Sequence, residues 1–443
     1  MKLKKLSTLT LLLGSLLMAE GIDNNNTSLN LDFEREAVWT FLPYAFSSDS
    51  TGLSAGVGVI AQGLLQPQTT FVATLTAGTE QDIITNGVEG TESFSGGLIA
   101  FHNFKMPYTE RLFLSAWGYM TTIPKQSLYT DSSHQSDEDD KLLTSGDSDF
   151  AEVVFRYVLP IGDGVDNPGR IYDLKDGFAM GREAYGNGTP FVTGHTELGL
   201  TAFYQDQSID NVQGALHPGD APITWDSRGL RFSASHDNTD YADNPSRGYN
   251  LFLRYSKDFG TGDSMQSWDF IEFKASKYFN LDTFSFTQQN VLAFNFWTAY
   301  SPSWDTENEF LPGVDAHRTP LYDGPRLGGF TRMRGYDQNR FLDKAAIYGT
   351  VEYRAVLNYN PIKNGDLGEW IAKNAPVDWF QVVGFIEAGR VNDTYDFDLL
   401  QDLKYDVGVS LRAMVAELPV RFDVAYGDEG TNMWVMIQQP FDF

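Results

Sequence analysis

From Tyr405 to Ala413 the chain reads YDVGVSLRA, and every second residue changes face: Tyr405, Val407, Val409, Leu411 and Ala413 against Asp406, Gly408, Ser410 and Arg412. A period of two is the period of a β-strand, whose side chains alternate across the sheet. The same period returns in VRFDVAY, where Val420, Phe422, Val424 and Tyr426 oppose Arg421, Asp423 and Ala425. It returns again in IYGTVEYRAVLNY, where Ile347, Val351, Tyr353 and Leu357 oppose Tyr348, Thr350, Glu352 and Arg354. Alternation alone allows a soluble sandwich or a membrane barrel. Charges of both signs on the polar face, strands of about 9–12 residues and rims rich in aromatic residues select a barrel with a wet lumen. Composition agrees: 32 Phe, 21 Tyr and 41 Gly at a mean hydropathy of -0.29 suit a sheet in which only alternate residues meet lipid.

The first residues, MKLKKLSTLTLLLGSLLMAEG, carry Lys2, Lys4 and Lys5 ahead of an apolar run from Leu6 to Met18, with Ala19 as the small residue at a cut. That is the pattern of a secretory signal peptide over residues 1–19. Beyond it no run of ~18 apolar residues exists, which excludes a helical span from the sequence that follows. The chain has no cysteine, so neither a disulfide framework nor a lipoprotein anchor is expected. A formal charge of -27 would repel a phosphate backbone and argues against nucleic acid as a partner. Residues 20–36 are expected to be a short, polar, asparagine-rich periplasmic lead-in, and residues 37–443 the barrel.

Strands are expected near 37–47, 52–63, 69–78, 92–103, 111–121, 149–158, 191–205, 223–236, 247–257, 267–280, 283–298, 345–359, 378–390, 402–413, 418–427 and 432–443. Sixteen is an even number, as an antiparallel bacterial barrel requires. With the first strand rising from the periplasm, 122–148 and 299–344 become outer loops. Two long segments, 159–190 and 360–377, then fall on the periplasmic side, where short turns are the rule.

No catalytic motif survives its structural requirement. GLSAG, Gly52 to Gly56, matches a nucleophile elbow in letters, yet the following GVGVIAQ alternates like a strand where the elbow needs a helix. His102, His134, His195, His217, His236 and His317 are scattered without ligand spacing. His195 and Glu197 share a strand face, a pair read as structural. DSSHQSDEDD, Asp131 to Asp140, offers oxygen ligands for a divalent ion but lacks the glycine and spacing of a calcium loop, and reads as a solvated outer loop. No cofactor is expected, and the chain is not read as an enzyme.

Between the eleventh and twelfth strands lies GGFTRMRGYDQNRF, Gly328 to Phe341. This loop resembles the glycine-led Arg-Gly-Tyr/Phe loop of the bacterial surface antigen family, the barrel superfamily that includes the assembly factors BamA and TamA and the two-partner secretion transporters. VVGFIEAGRV (382–391), HDNTDYADNPSRGYNLFLRYS (236–256) and the closing VGVSLRAMVAELPVRFDVAYG to IQQPF are similar to further motifs of that family. The resemblance is clearest over 223–443. It implies that the loop folds into the lumen, that Arg334, followed by Gly335 and Tyr336, pairs with Glu352 and Glu387 on the inner wall, and that Phe441 and Phe443 resemble a barrel-assembly signal. A guanidinium away from bulk water is held best by charge-assisted pairing, and Glu352 lies on the polar face of its strand. By contrast Asp406, Arg354, Arg412 and Asp423 read as general lumen-wall charge. The family's periplasmic POTRA modules have no room in the seventeen or so residues from Glu20 to Glu36, so a POTRA-less member is expected.

Two functions follow from the resemblance and the composition. One is a factor for insertion or export of protein or lipid in the outer membrane of a Gram-negative bacterium, with client proteins or an accessory periplasmic protein as partners beside outer-membrane lipid. The other is a stand-alone pore-forming or structural barrel.

Overall fold

A computed structural model describes residues 37–48, 51–85, 88–129, 131–182, 186, 188–209, 223–261, 267–304, 317–321, 323–362, 377–415, 418–437 and 439–442. The expected signal peptide, the lead-in and Phe443 lie outside the described residues.

Sixteen strands form one antiparallel sheet in chain order, a transmembrane β-barrel. They are β1 Val38–Ser48, β2 Gly52–Gln62, β3 Thr70–Thr85, β4 Val88–Lys105, β5 Leu112–Tyr129 and β6 Lys141–Val158. Then come β7 His195–Ile209, β8 Ile223–Asp237, β9 Gly248–Asp258, β10 Asp269–Leu281 and β11 Thr287–Tyr300. After the long loop follow β12 Ala345–Leu357, β13 Val377–Asn392, β14 Lys404–Val415, β15 Leu418–Gly427 and β16 Gly430–Ile437. Among the described residues no helix is long and apolar enough to cross a membrane; the crossing is made by strands.

Burial runs opposite to that of a water-soluble protein. On β14, Val407, Val409 and Leu411 face outward and are 50%, 58% and 48% exposed, whereas Asp406, Ser410 and Arg412 face inward and are buried. The outward set is the apolar belt that lipid covers, and it is the same set that the period-two reading places together.

Several strand boundaries differ from expectation. The strands β4, β5 and β6 are 18 residues each, well beyond the ~9–11 that cross a bilayer, so they project past the membrane at the outer end. The 122–148 segment is therefore mostly strand. Pro124, which cannot donate to a ladder, falls where the β5–β6 register shifts between Ile123 and Gln126, and that irregularity absorbs it. At the other extreme β16 stops at Ile437, and residues 440–442 form a 3-10 turn in place of strand. Pro440 has no N–H to extend a ladder.

The lumen is filled rather than wet throughout. On the wall of β3 to β6, Val72, Phe94, Leu98, Trp117, Tyr119 and Phe150 pack into an apolar cluster against Tyr44 and Ile60. Inward charges of both signs occur mainly on the later strands, where the loop between β11 and β12 enters.

Candidate functional site

The loop is built to bend sharply. Arg326–Leu327 pairs with Phe341–Leu342 as a short ribbon that closes its neck. Gly328 and Gly329 follow at φ +100° and +110°, in the left-handed region that glycine alone adopts at no steric cost. A Cβ on Gly328 would lie 2.3 Å from the Asp337 carbonyl oxygen. Within the bend, the Gly328 N–H donates to the Arg332 carbonyl at 3.0 Å and the Gly329 N–H to the Tyr336 carbonyl at 3.1 Å.

The tip lies on the inner wall of the last five strands. The fully buried Arg334 donates from Nε to Glu387 Oε1 of β13 at 3.0 Å and from Nη2 to Glu352 Oε1 of β12 at 2.9 Å. Its Nη1 reaches Asp423 Oδ2 of β15 at 3.3 Å, and the guanidinium carbon stands 3.4 Å from the Phe385 ring centroid. The backbone joins in: Arg334 N–H donates to Glu387 Oε2 at 2.6 Å, and Trp434 Nε1 of β16 donates to the Arg334 carbonyl at 2.8 Å. Gly335 N–H donates to Asp406 Oδ2 of β14 at 3.1 Å, and a Cβ there would meet Asp406 Cβ at 2.6 Å and Gly427 N at 2.7 Å. Tyr336 donates its hydroxyl to the Tyr405 carbonyl at 3.2 Å and packs edge-on against Phe341.

Electrostatics explain why the wall holds the loop. Glu387 and Asp406 are direct cross-strand partners, and Arg412 and Arg421 are another. Like charges directly opposite destabilise a bare sheet. The loop brings a guanidinium to the first pair, and Glu352 and Asp423 serve the second: Arg412 Nη2 lies 2.9 Å from both Glu352 oxygens, and Arg421 pairs with Asp423. Arg354 Nε donates to Glu352 Oε2 at 2.8 Å. Four guanidinium groups, Arg334, Arg354, Arg412 and Arg421, thus face four carboxyl groups, Glu352, Glu387, Asp406 and Asp423, all essentially buried.

Asp406 and Asp423, read from sequence as general wall charge, touch the loop directly. Sequence reasoning also missed how widely the loop is tethered. Asp323 accepts from Arg231 of β8 at 2.8 Å, Arg332 lies over the Trp297 ring of β11 at 3.8 Å, and Arg340 pairs with Glu429 in the β15–β16 turn at 2.8 Å. Contacts on β8 and β15 by one loop show it spanning the bore. Parity could have found Arg231 and also Glu272 of β10, which lies 4.0 Å from Arg332 of the loop, since both lie on the inward face of alternating strands.

The acidic outer segment is a clasp on this loop, contrary to its reading as simply solvated. Arg340 Nη1 donates to Ser136 Oγ at 2.8 Å, and the Leu342 N–H donates to the Ser132 carbonyl at 2.8 Å. His134 is 5% exposed and donates from Nε2 to the Asp402 carbonyl at 2.6 Å. Burial, helped by Arg390 and Lys404, lowers its pKa despite that carbonyl. Burial likewise raises the Glu429 carboxyl against the pull of Arg340.

Of the remaining residues singled out from sequence, His217 lies outside the described residues, and His195, Glu197 and Ser54 make structural contacts. His195 donates to the Asn167 carbonyl at 2.7 Å, and Glu197 accepts from Arg156 and Arg170. Ser54 lies in β2 and donates to the Thr51 carbonyl at 3.1 Å. Among the described residues no cluster of His, Asp and Glu could hold a metal ion. Phe441 is buried in the lumen against Tyr278, Val291 and Ala293, with Arg354 over its ring at 4.6 Å.

A sixteen-stranded barrel whose lumen is entered by an arginine-bearing loop locked on its closing strands defines a class of outer-membrane barrels. The model of the Omp85 superfamily domain matches residues 177–443, and the chain belongs to that superfamily. No curated protein sequence matches it. Among solved structures it is similar to CdiB from Acinetobacter baumannii at 11% identity and TM-score 0.50, covering 90% of this chain and 58% of that one. It is similar to CdiB from Escherichia coli at 10% identity and TM-score 0.50, covering 90% and 61%. It is also similar to BamA from Haemophilus ducreyi lacking POTRA domains 1-3, at 11% identity and TM-score 0.49, covering 91% and 69%. The chain thus spans less than two thirds of either CdiB, and at these identities the likeness to CdiB is one of fold.

Proposed function

We propose that this barrel inserts or exports protein, or lipid, at the outer membrane of a Gram-negative bacterium and has no catalytic activity. The observation that carries this reading is where the loop is anchored. Arg334 and its neighbours bind β12, β13, β14, β15 and β16, the five strands that end at the last edge of the sheet. A lock placed there stiffens one side of the junction between β16 and β1 and leaves β1 as the side free to move. An edge strand so released offers main-chain hydrogen bonds to an incoming strand. Arg334, Gly335, Tyr336, Glu352 and Glu387 act in this reading as a lumen lock, and Phe441 with Phe443 as the signal by which the chain itself enters barrel assembly. Outer-membrane lipid is its surroundings, and client proteins or an accessory periplasmic protein are its partners.

The packed lumen weighs against the pore reading, because aromatic side chains and the loop occupy the space a channel needs. The test is reconstitution of the purified full chain into lipid vesicles with an unfolded outer-membrane barrel as client. Faster client folding than in empty vesicles, lost on crosslinking β1 to β16, supports the proposal. Equal folding rates together with steady ion conductance in planar bilayers would refute it and favour a stand-alone pore.

A further inference from the structure

Residues 159–194 join β6 to β7 on the end of the barrel that carries the start of β1 and the end of β16, and 159–182 are the first part of that connection. A connection of this length is out of place among short periplasmic turns. Its course explains the length. Leu159 N–H donates to the Thr196 carbonyl at 2.8 Å and Asp163 N–H to the Gly194 carbonyl at 2.9 Å, which ties the start of the segment to the rim at β7. From there it turns inward. Arg170, 2% exposed, places Nε 3.0 Å from Glu197 of β7 and Nη1 2.9 Å from Asp237 of β8.

Beyond Arg170 the segment crosses the bore. Leu174–Lys175 and Phe178–Ala179 form a two-stranded ribbon joined by Asp176 and Gly177, at φ +50° and +75°. Two successive positive φ values are those of a type I′ hairpin turn, which Asp-Gly favours. This ribbon and Tyr172 pack on Tyr241 of the β8–β9 turn, Val356 of β12, Trp379 of β13 and Met414 of β14. Trp379 Nε1 donates to the Gly177 carbonyl at 3.3 Å, and a Cβ on Gly177 would lie 2.7 Å from that same nitrogen. Arg182 stacks over the Tyr172 ring at 4.2 Å and donates to the Thr239 carbonyl. In a sheet of sixteen strands β6 and β14 are eight places apart, which puts them on opposite sides of the barrel. A segment that leaves β6 and shares one apolar cluster with Met414 has spanned the lumen.

We infer that residues 159–182 are a periplasmic gate, a second closure of the lumen distinct from the loop that enters from the outer end. The two closures use different residues: the outer loop is held by buried guanidinium–carboxylate pairs on β12 to β15, the inner segment by the Arg170 pairs and an apolar seat. Passage of any chain or solute through the lumen requires both to move, and a partner on the periplasmic side can open the inner one without touching Arg334. This holds whichever cargo the barrel serves.

The chain has no cysteine, so a single introduced thiol reports on one place. In the otherwise unaltered protein in lipid vesicles, Met414→Cys should react with a polyethylene glycol maleimide about tenfold or more slowly than Lys175→Cys, whose side chain is exposed, because Met414 is 0% exposed in the apolar seat of the ribbon and its labelling requires local opening. Adding Arg170→Ala and Tyr172→Ser should abolish that difference. In planar bilayers Arg334→Ala alone should stay closed, and Arg334→Ala combined with the gate substitutions should conduct. Equal labelling of Met414→Cys and Lys175→Cys in the unaltered background, or full conductance from Arg334→Ala alone, would overturn the gate. The thiol comparison decides even if the combined variant fails to fold.

Discussion

Replacing Arg334 by alanine should strand one carboxylate and leave its neighbours served. Asp423 keeps Arg421, and Glu352 keeps Arg354 and Arg412. Glu387 keeps the Tyr348 hydroxyl and the backbone N–H at position 334, but no guanidinium among the described residues. Breaking one buried pair costs about 3–5 kcal/mol, and loss of the cation stacked on Phe385 adds about 1 kcal/mol. The lumen admits some water to a vacated loop, which places the expected loss near the lower end, about 3 kcal/mol. Urea unfolding in lipid vesicles measures it. Limited trypsin digestion gives a second readout, since Arg332 and Arg340 are 6% and 0% exposed and become cleavable only when the loop leaves the wall. The double variant Arg334→Ala with Glu387→Gln removes the stranded charge and should recover about 1–3 kcal/mol of the loss. Unchanged stability with continued protease protection would refute the reasoning, as would strict additivity of the two substitutions.

Gly335→Ala should unseat the loop tip while leaving the barrel folded, at a cost of about 1–3 kcal/mol, because its Cβ has no room between Asp406 and Gly427. Trypsin cleavage at Arg332 in a barrel that still migrates as folded on an unboiled gel checks this. Val409→Arg should cost about 2–4 kcal/mol, since an outward residue midway along β14 meets hydrocarbon, and urea unfolding of the variant that cost nothing would contradict a lipid-facing position. Acidification should loosen the outer clasp. Folding lowers the pKa of His134, so the unfolded loop takes up a proton first, and the clasp's stability is complete above the ordinary value of 6.5 and lost as pH falls below it. Hydrogen exchange of residues 131–140 should therefore be better protected at pH 7.5 than at pH 5 after correction for intrinsic rates; protection equal at both would count against it.

Much of this barrel was determined by the sequence alone, because its fold rests on local physics. Whether Val409 or Ser410 meets lipid depends on a side-chain period of two, and that period survives in any single strand; the strand number and the outward apolar set follow from it. The loop's bend was legible too, since Gly328 and Gly329 mark a backbone that other residues resist. The partners of the loop were not, because they depend on sheet register and on opposite walls meeting across a bore. Nothing in the local surroundings of Asp423 distinguishes it from any inward carboxylate until β15 is brought beside β12 and β13. The gate at 159–182 was hidden for the same reason: LKDGFA announces a hairpin, but only closure of the barrel brings Trp379 and Met414, more than two hundred residues on, into its path.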